Sequence, residues 1–201
     1  MLLAAAASST AEAGGPPTAN LVALPPAITV GETVRLSGSV AEDPSCPGPR
    51  PVQLEWQRVD SASWAPVAST DSAADGSFSF SDAPQYNGEY RVSLAAVGGC
   101  QAAGSDPVPV GVRALVDSSL IASSLTAGSC RTIHATVSPD KSGQNIELQR
   151  SFGSGWQTVE TLPLDASSSA SASPCFGWED IGVVRLRLRW PKQDQLNDPG
   201  F

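Results

Sequence analysis

The stretch Gly-Glu-Tyr-Arg-Val-Ser-Leu, at residues 88–94, indicates the fold class of the chain. Tyr90, Val92 and Leu94 alternate with polar or charged residues. Successive side chains of a β-strand point to opposite faces, so this alternation predicts a strand with one buried face and one solvated face.

The same period of two recurs on both sides of this stretch. Even spacing of apolar residues predicts further strands at residues 28–40, 52–56, 78–80 and 108–112. The chain has 18 glycines and 17 prolines, which favour turns over helices. Many short strands without a long helical segment predict an all-β sandwich.

The second half of the chain repeats the first in three ordered matches. Residues 31–40 match 128–137, residues 54–67 match 146–159, and residues 88–94 match 182–188. Three matches in one order indicate a tandem duplication. We therefore expect two domains of about 90 residues, at 20–113 and 114–201, which is a usual sandwich size.

Two segments resemble known families. Residues 86–92, Tyr-Asn-Gly-Glu-Tyr-Arg-Val, resemble the D-x-G-x-Y-x-C segment that enters strand F of immunoglobulin domains, with Val92 at the cysteine position. Residues 146–159, in which Gln149-Arg150 precedes Trp156 and Val159, resemble tandem bacterial immunoglobulin-like repeats of exported proteins. The resemblance implies two immunoglobulin-like antiparallel β-sandwiches. It implies no particular function, because this fold hosts many.

Four cysteines allow three pairings. In the predicted strand order, Cys46 and Cys100 lie in loops at one end of the first sandwich, and Cys130 and Cys175 share an end of the second. We therefore expect the disulfides Cys46–Cys100 and Cys130–Cys175. A zinc site is disfavoured because there is no C-x-x-C motif and a single histidine. Free buried thiols in a cytoplasmic protein are the other alternative.

The N-terminus carries a compartment signal. Residues 1–7, Met-Leu-Leu-Ala-Ala-Ala-Ala, and the small-x-small site Ala11-Glu12-Ala13 resemble the end of a secretory signal peptide, although no Lys or Arg precedes them. The alternative is a disordered Ala/Ser tail over residues 1–19. Disulfides require an oxidising compartment, so we expect a secreted or cell-surface protein.

Charge and motif content exclude several function classes. The net charge of −8 disfavours nucleic-acid binding, and the longest apolar run is too short to span a bilayer. There is no nucleophile elbow or phosphate loop, and His134 has the setting of an ordinary strand residue. We expect no enzyme, cofactor or metal site. Asp194, Asn197 and Asp198 could supply oxygen ligands to calcium, but a polar loop is the plainer interpretation.

Five residues are candidate contacts for a ligand or partner. Trp64 and Trp156 occupy equivalent hairpin positions, where exposed rings could stack on a sugar and buried rings would simply pack. Arg185, Arg187 and Arg189 alternate along predicted strand F, as an anionic contact stripe or as a solvated face paired with acids such as Glu147. The expected function is a non-catalytic extracellular structural or binding module. The alternative is a carbohydrate- or cell-wall-binding accessory module, so the partner is an unidentified protein or glycan at the cell surface.

The end of the chain departs from the repeat. Residues 191–201 are mostly polar, do not alternate, and contain Pro191 and Pro199. The second sandwich is therefore predicted to lack its last strand, which leaves strand F as an open edge. Either further residues complete the sheet or a partner supplies a strand.

Overall fold

The computed structural model describes residues 19–41, 46, 48–119 and 126–201. Across these residues the regular structure consists of β-strands and one short 3₁₀ turn, so the chain is all-β as predicted. The segment that resembles a signal peptide lies outside the described residues.

The first half forms two sheets. Its strands are β1 (Ala19–Leu24), β2 (Ala27–Thr29), β3 (Val34–Val40), β4 (Pro51–Arg58), β5 (Ala65–Asp71), β6 (Ser77–Asp82), β7 (Gly88–Leu94), β8 (Ala103–Gly104) and β9 (Val108–Arg113). One sheet has the order β1-β3-β6 and the other has the order β2-β9-β7-β4-β5, with β8 also paired to β7. All pairings are antiparallel except that of β2 with β9, which is parallel.

The second half follows the same plan with fewer strands. Its elements are β10 (Leu115–Ser118), β11 (Ser129–Cys130), β12 (Ile133–Ser138), β13 (Asn145–Phe152), β14 (Gly155–Pro163), β15 (Ser169–Ala172), β16 (Cys175–Phe176), the 3₁₀ turn Trp178–Asp180 and β17 (Leu186–Arg189). The sheets are β10-β12-β15 and β14-β13-β17, and β11 pairs with β16. In the described residues no named strand lies on the far side of β17.

Each half encloses its own hydrophobic core. In the first half Leu36 and Phe80 of one sheet share a cluster with Leu54 and Val92 of the other. In the second half the cluster likewise takes residues from both sheets and includes Trp190, which is fully buried. Two facing sheets around one core are consistent with a β-sandwich.

Tyr90 shows how a polar group is accommodated in the first core. The side chain is fully buried, and its hydroxyl donates a 2.6 Å hydrogen bond to Oδ2 of Asp82. Burial, together with this hydrogen bond, raises the pKa of Tyr90 above its ordinary value. A satisfied hydroxyl lets the large ring fill the core without leaving a buried donor unpaired.

The strand registers correct the repeat matching made from sequence. The β4–β5 and β13–β14 hairpins each contain one register shift, after Leu54 and after Leu148 respectively. Leu54 therefore corresponds to Leu148, whereas the sequence match assigned it to Ile146. In the neighbouring strands Val92 lies opposite Leu54 and Leu188 lies opposite Leu148.

The sequence match is thus wrong by two residues in both central strands of the second half. Val92 corresponds to Leu188 and not to Leu186. A shift of two residues keeps every side chain on the same face of its strand, so the hydrophobic pattern cannot detect it.

The structure contains the disulfides Cys46–Cys100 and Cys130–Cys175. These are the same pairs that the predicted strand order favours. The first joins the β3–β4 connection to the β7–β8 connection, and the second joins the paired strands β11 and β16. Each bridge lies within one half of the chain.

Removing either disulfide should destabilise the fold substantially. The bridges span 54 and 45 residues, and closing loops of that size restricts the unfolded chain by about 4 kcal/mol each in the chain-entropy model. We expect the double variants Cys46→Ser/Cys100→Ser and Cys130→Ser/Cys175→Ser each to lose about 2–4 kcal/mol in urea denaturation. Non-reducing peptide mapping that found a Cys46–Cys130 or Cys100–Cys175 peptide would contradict this pairing.

Candidate functional site

The outer face of the β14-β13-β17 sheet carries an exposed cluster of aromatic and cationic side chains. The guanidinium carbon of Arg187 lies 4.4 Å from the ring centre of Trp156 and 4.7 Å from that of Phe201. Arg187 Nε also donates a 2.8 Å hydrogen bond to Oε1 of Gln149 on β13. We call Trp156, Arg187, Arg189 and Phe201 the aromatic–arginine cluster.

Arg189 completes this cluster. Its Nη1 lies 3.2 Å from Oε2 of Glu147, the acidic cross-strand partner considered from sequence, and its guanidinium carbon is 5.9 Å from the Phe201 ring centre. The pKa of Arg187 is lowered, mainly by desolvation of its guanidinium and to a lesser extent by the positive charge of Arg189. Trp156 is 39% exposed and Phe201 is 60% exposed, so the cluster is accessible to a partner.

The first half contains a simpler version of the same arrangement. The guanidinium carbon of Arg91 lies 4.3 Å from the ring centre of Trp64, and its Nε donates a 2.7 Å hydrogen bond to Oε2 of Glu55. Both tryptophans therefore hold an arginine against one ring face. Cation–π contacts of this kind contribute about 0.5–1 kcal/mol at exposed sites.

Arg185 does not join the cluster. It lies just before β17, and its side chain is exposed. That side chain makes no hydrogen bond, ion pair or ring contact within the described part of the chain. Its carbonyl oxygen accepts a 3.0 Å hydrogen bond from the Ser151 amide, which extends the β13–β17 ladder by one pair. Two of the three alternating arginines thus contact aromatic rings, and the third contacts no ring among the described residues.

The C-terminal segment is more than the polar loop expected from its sequence. Asn197 is fully buried, and its Nδ2 donates to the carbonyl oxygens of Gln85 at 2.8 Å and Val112 at 3.2 Å. The backbone of Asp198 pairs with Val112 and Ala114. The end of the chain therefore binds both the first half and the junction at residues 112–114.

A buried ion pair anchors the start of this segment. The Lys141 side chain is 1% exposed, its Nζ lies 2.9 Å from Oδ2 of Asp194, and it lies 4.6 Å from the ring centre of Trp190. Burial alone would raise the pKa of Asp194, but hydrogen bonds from Gln144 and Lys141 and the Lys141 charge outweigh it and lower that pKa. The Asp194 carboxylate considered for calcium is thus engaged with Lys141. The described residues contain no group of three or more His, Cys, Asp or Glu side chains placed to hold a metal ion.

A shallow groove of about 390 Å³ lies where the C-terminal segment meets the first half. Its lining includes Arg58, Asn87, Glu89, Pro109 and Asp198. The Asn87 side chain is already hydrogen-bonded within the protein, since its Oδ1 accepts from the Val112 amide at 2.6 Å and its Nδ2 donates to the Gln195 carbonyl at 3.0 Å.

His134 does not line this groove. Its Nδ1 lies 2.8 Å from Ser171 Oγ.

Several of these residues could not be found from the sequence. Phe201, Lys141 and Asn197 stand in polar segments with no periodic pattern, and their partners lie 14 to 112 positions away in the chain. Trp156 and Arg187 each had a signal, the duplicated tryptophan and the alternating arginines, but nothing in the sequence paired them with each other.

No known protein family matches the sequence, and no curated protein is similar to it at a significant level. A solved structure of a tetra-tandem repeat in the extending region of a large adhesion protein is similar with 13% identity and a TM-score of 0.39, covering 92% of this chain. The chain spans about half of that structure, 47% of its length. No helix in the described ranges is long and apolar enough to cross a membrane.

The contacts of Arg187 should contribute measurably to stability. Arg187→Ala removes two ring contacts and a hydrogen bond to Gln149, so we expect a loss of about 1–2 kcal/mol in urea denaturation and a changed Trp156 fluorescence. Arg185→Ala is the matched control, and we expect it to stay within about 0.5 kcal/mol of the parent. Equal effects of the two substitutions would contradict the cluster.

Removing only one charge of the Lys141–Asp194 ion pair should destabilise the folded chain. Asp194→Asn leaves a buried ammonium without its counter-charge, so we expect a loss of about 3 kcal/mol, partly recovered in Lys141→Met/Asp194→Asn. The lowered pKa of Asp194 means that its stabilisation is present above the unfolded pKa of about 3.9 and disappears as pH falls through the folded value. Denaturation midpoints from pH 7 to pH 2 should fall more steeply for the parent than for Asp194→Asn, and parallel curves would contradict the assignment.

Proposed function

We propose that the chain is a non-catalytic, extracytoplasmic structural or binding module built of two immunoglobulin-like domains, at residues 20–113 and 114–201. The strand order of the first half carries this proposal. The sheets β1-β3-β6 and β5-β4-β7-β9 correspond to the A-B-E and C′-C-F-G sheets of an immunoglobulin sandwich. The parallel pairing of β2 with β9 is then the first strand crossing to the second sheet.

The second half supports the same assignment with one difference. Its sheets β10-β12-β15 and β14-β13-β17 correspond to A-B-E and C′-C-F, and the position of strand G beside β17 is held by no named strand of the described residues. Each half has a separate core and a separate disulfide. Independent cores and bridges are what two tandem domains require.

An extracytoplasmic location is supported by cysteine use. All four cysteines are paired, and such bridges persist mainly in oxidising compartments. The N-terminal resemblance to a signal peptide points in the same direction. We propose a secreted or cell-surface protein on these grounds.

A non-catalytic role is supported by the way charged groups are used. Glu55, Asp82, Glu147 and Asp194 each bind a structural partner in the strands or the C-terminal segment. These contacts position arginines, a tyrosine and a lysine in the fold. They do not converge on one cleft, as the acid and base of an enzyme would.

The carbohydrate-binding alternative depends on Trp156. The exposed Trp156 and Phe201 rings could offer apolar surface to a sugar face. Against this, one face of the Trp156 ring is covered by Arg187 and one face of Trp64 by Arg91. These contacts favour packing against arginine as the role of both tryptophans.

A binding screen on the intact chain separates the two functions. We expect the parent protein to show no specific signal on glycan arrays or isolated cell walls, because an arginine occupies one face of each tryptophan. Glycan binding that Trp156→Ala abolishes, while Trp64→Ala retains it and both variants keep the parental circular dichroism spectrum, would establish the carbohydrate-binding function instead.

A further inference from the structure

A single residue separates the last strand of the first half from the first strand of the second. β9 ends at Arg113, β10 begins at Leu115, and Ala114 between them is 1% exposed. Domains joined in tandem move relative to each other unless their interface holds them. A connection this short limits the reach of such motion, but rotation about Ala114 would still bend one half against the other.

The first attachment that opposes this rotation lies at the junction itself. The Asp198 amide donates to the Val112 carbonyl at 2.8 Å, and the Ala114 amide donates to the Asp198 carbonyl at 3.0 Å. Asp198 and Arg113 form a parallel bridge in this way. A Cβ at Gly200 would lie 2.1 Å from the Ala114 carbonyl oxygen, so the paired segment follows the connection closely beyond the bridge.

The second attachment is made on the β6–β7 connection of the first half, where two asparagines cross the interface in opposite directions. Nδ2 of Asn197 donates to the Gln85 carbonyl at 2.8 Å. The Asn87 amide donates to the Leu196 carbonyl at 2.7 Å, and Nδ2 of Asn87 donates to the Gln195 carbonyl at 3.0 Å. Because these contacts lie outside the connection, rotation about the junction would break them.

The crossing segment is itself fixed to the second half. Oδ1 of Asp194 accepts from the Leu196 amide at 2.9 Å and from the Asn197 amide at 3.4 Å, which shapes the turn that presents Asn197. Oδ2 of the same carboxylate contacts the buried Lys141, whose amine lies against the core residue Trp190. Contacts therefore run without interruption from the second core to the first half.

We propose that residues 194–198 form a clasp that holds the two halves as one rigid body, which rotates in solution as a unit. Asn197 is the central residue of this clasp. Its side chain is fully buried, and its Nδ2 reaches both attachments, the Gln85 carbonyl and the Val112 carbonyl. Opening either attachment while Asn197 stays buried would cost it a hydrogen bond, so the two attachments open and close together.

Hydrogen bonds, and not a shared core, hold the joint. The two hydrophobic clusters of the described residues divide at the junction, with Val112 in the first and Ala114 in the second. One hydrogen bond shifts an equilibrium by about 2- to 10-fold, so several together are needed to keep the joint closed. Removing the Asn197 side chain, which makes two of them, should therefore open the joint without disturbing either core.

Backbone NMR of the intact disulfide-bonded chain tests the clasp, because amides in both halves report on rotation. For the parent we expect amide relaxation and residual dipolar couplings from both halves to fit one rotational tensor and one alignment tensor. For Asn197→Ala we expect separate tensors for the two halves, with unchanged chemical shifts in the β4–β7 and β13–β17 ladders. The Ala114 and Asp198 amides should exchange with solvent about 10-fold faster than in the parent.

Asn20→Ala is the matched control. The Asn20 side chain makes two hydrogen bonds with Ser39, both within the first half, so one tensor should still describe both halves of this variant. Asn87→Ala removes the contact with the Gln195 carbonyl from the other side of the interface. It should therefore reproduce the separate tensors even where Asn197→Ala does not fold.

Two results would overturn the clasp. One is separate tensors for the two halves of the parent. The other is a single shared tensor in every folded variant, with Ala114 exchange no faster than in Asn20→Ala. Neither result alters the two-domain assignment, which rests on the sheets and cores.

Discussion

The pairing of two central strands in each half, β4 with β7 and β13 with β17, is the constraint on which the other features depend. This register places Leu54 opposite Val92 and Leu148 opposite Leu188, so that each pair points into its core. The same register brings Arg91 opposite Glu55 and Arg187 opposite Gln149 on the outer face. Core and surface are therefore set by one ladder, because the two faces of a strand cannot shift independently.

In both halves an arginine on the outer face contacts a tryptophan, but the hydrogen-bond partner of the arginine differs. Arg91 and Arg187 each lie against a tryptophan contributed by the hairpin next to their strand. In the first half the hydrogen-bond acceptor is a carboxylate, and in the second it is the amide oxygen of Gln149. The second site thereby keeps more of its positive charge uncompensated, and Phe201 adds a further exposed ring. This difference makes the second half the better candidate for a partner contact.

The C-terminal segment connects the two halves. Lys141 and Asp194 hold its beginning in the second half, and Asn197 inserts into the junction with the first. Gly200 then pairs with Trp190, the residue that follows β17. A segment with no periodic pattern thus joins the two halves of the chain.

The all-β class, the positions of the main strands and the alternation of inward residues could be predicted from the sequence alone, and the predicted strand order favoured the two cysteine pairs. These follow from local alternation and from loop positions, which depend on the order of residues along the chain. Four features could be seen only in the folded chain: the register of the repeat, the contact of Arg187 with Trp156, the buried Lys141–Asp194 pair and the burial of Asn197. Each depends on groups distant in sequence meeting in space. In the strands, a displacement of two residues leaves the hydrophobic pattern unchanged, and in the C-terminal segment, burial comes from contacts with the other half that no local pattern encodes.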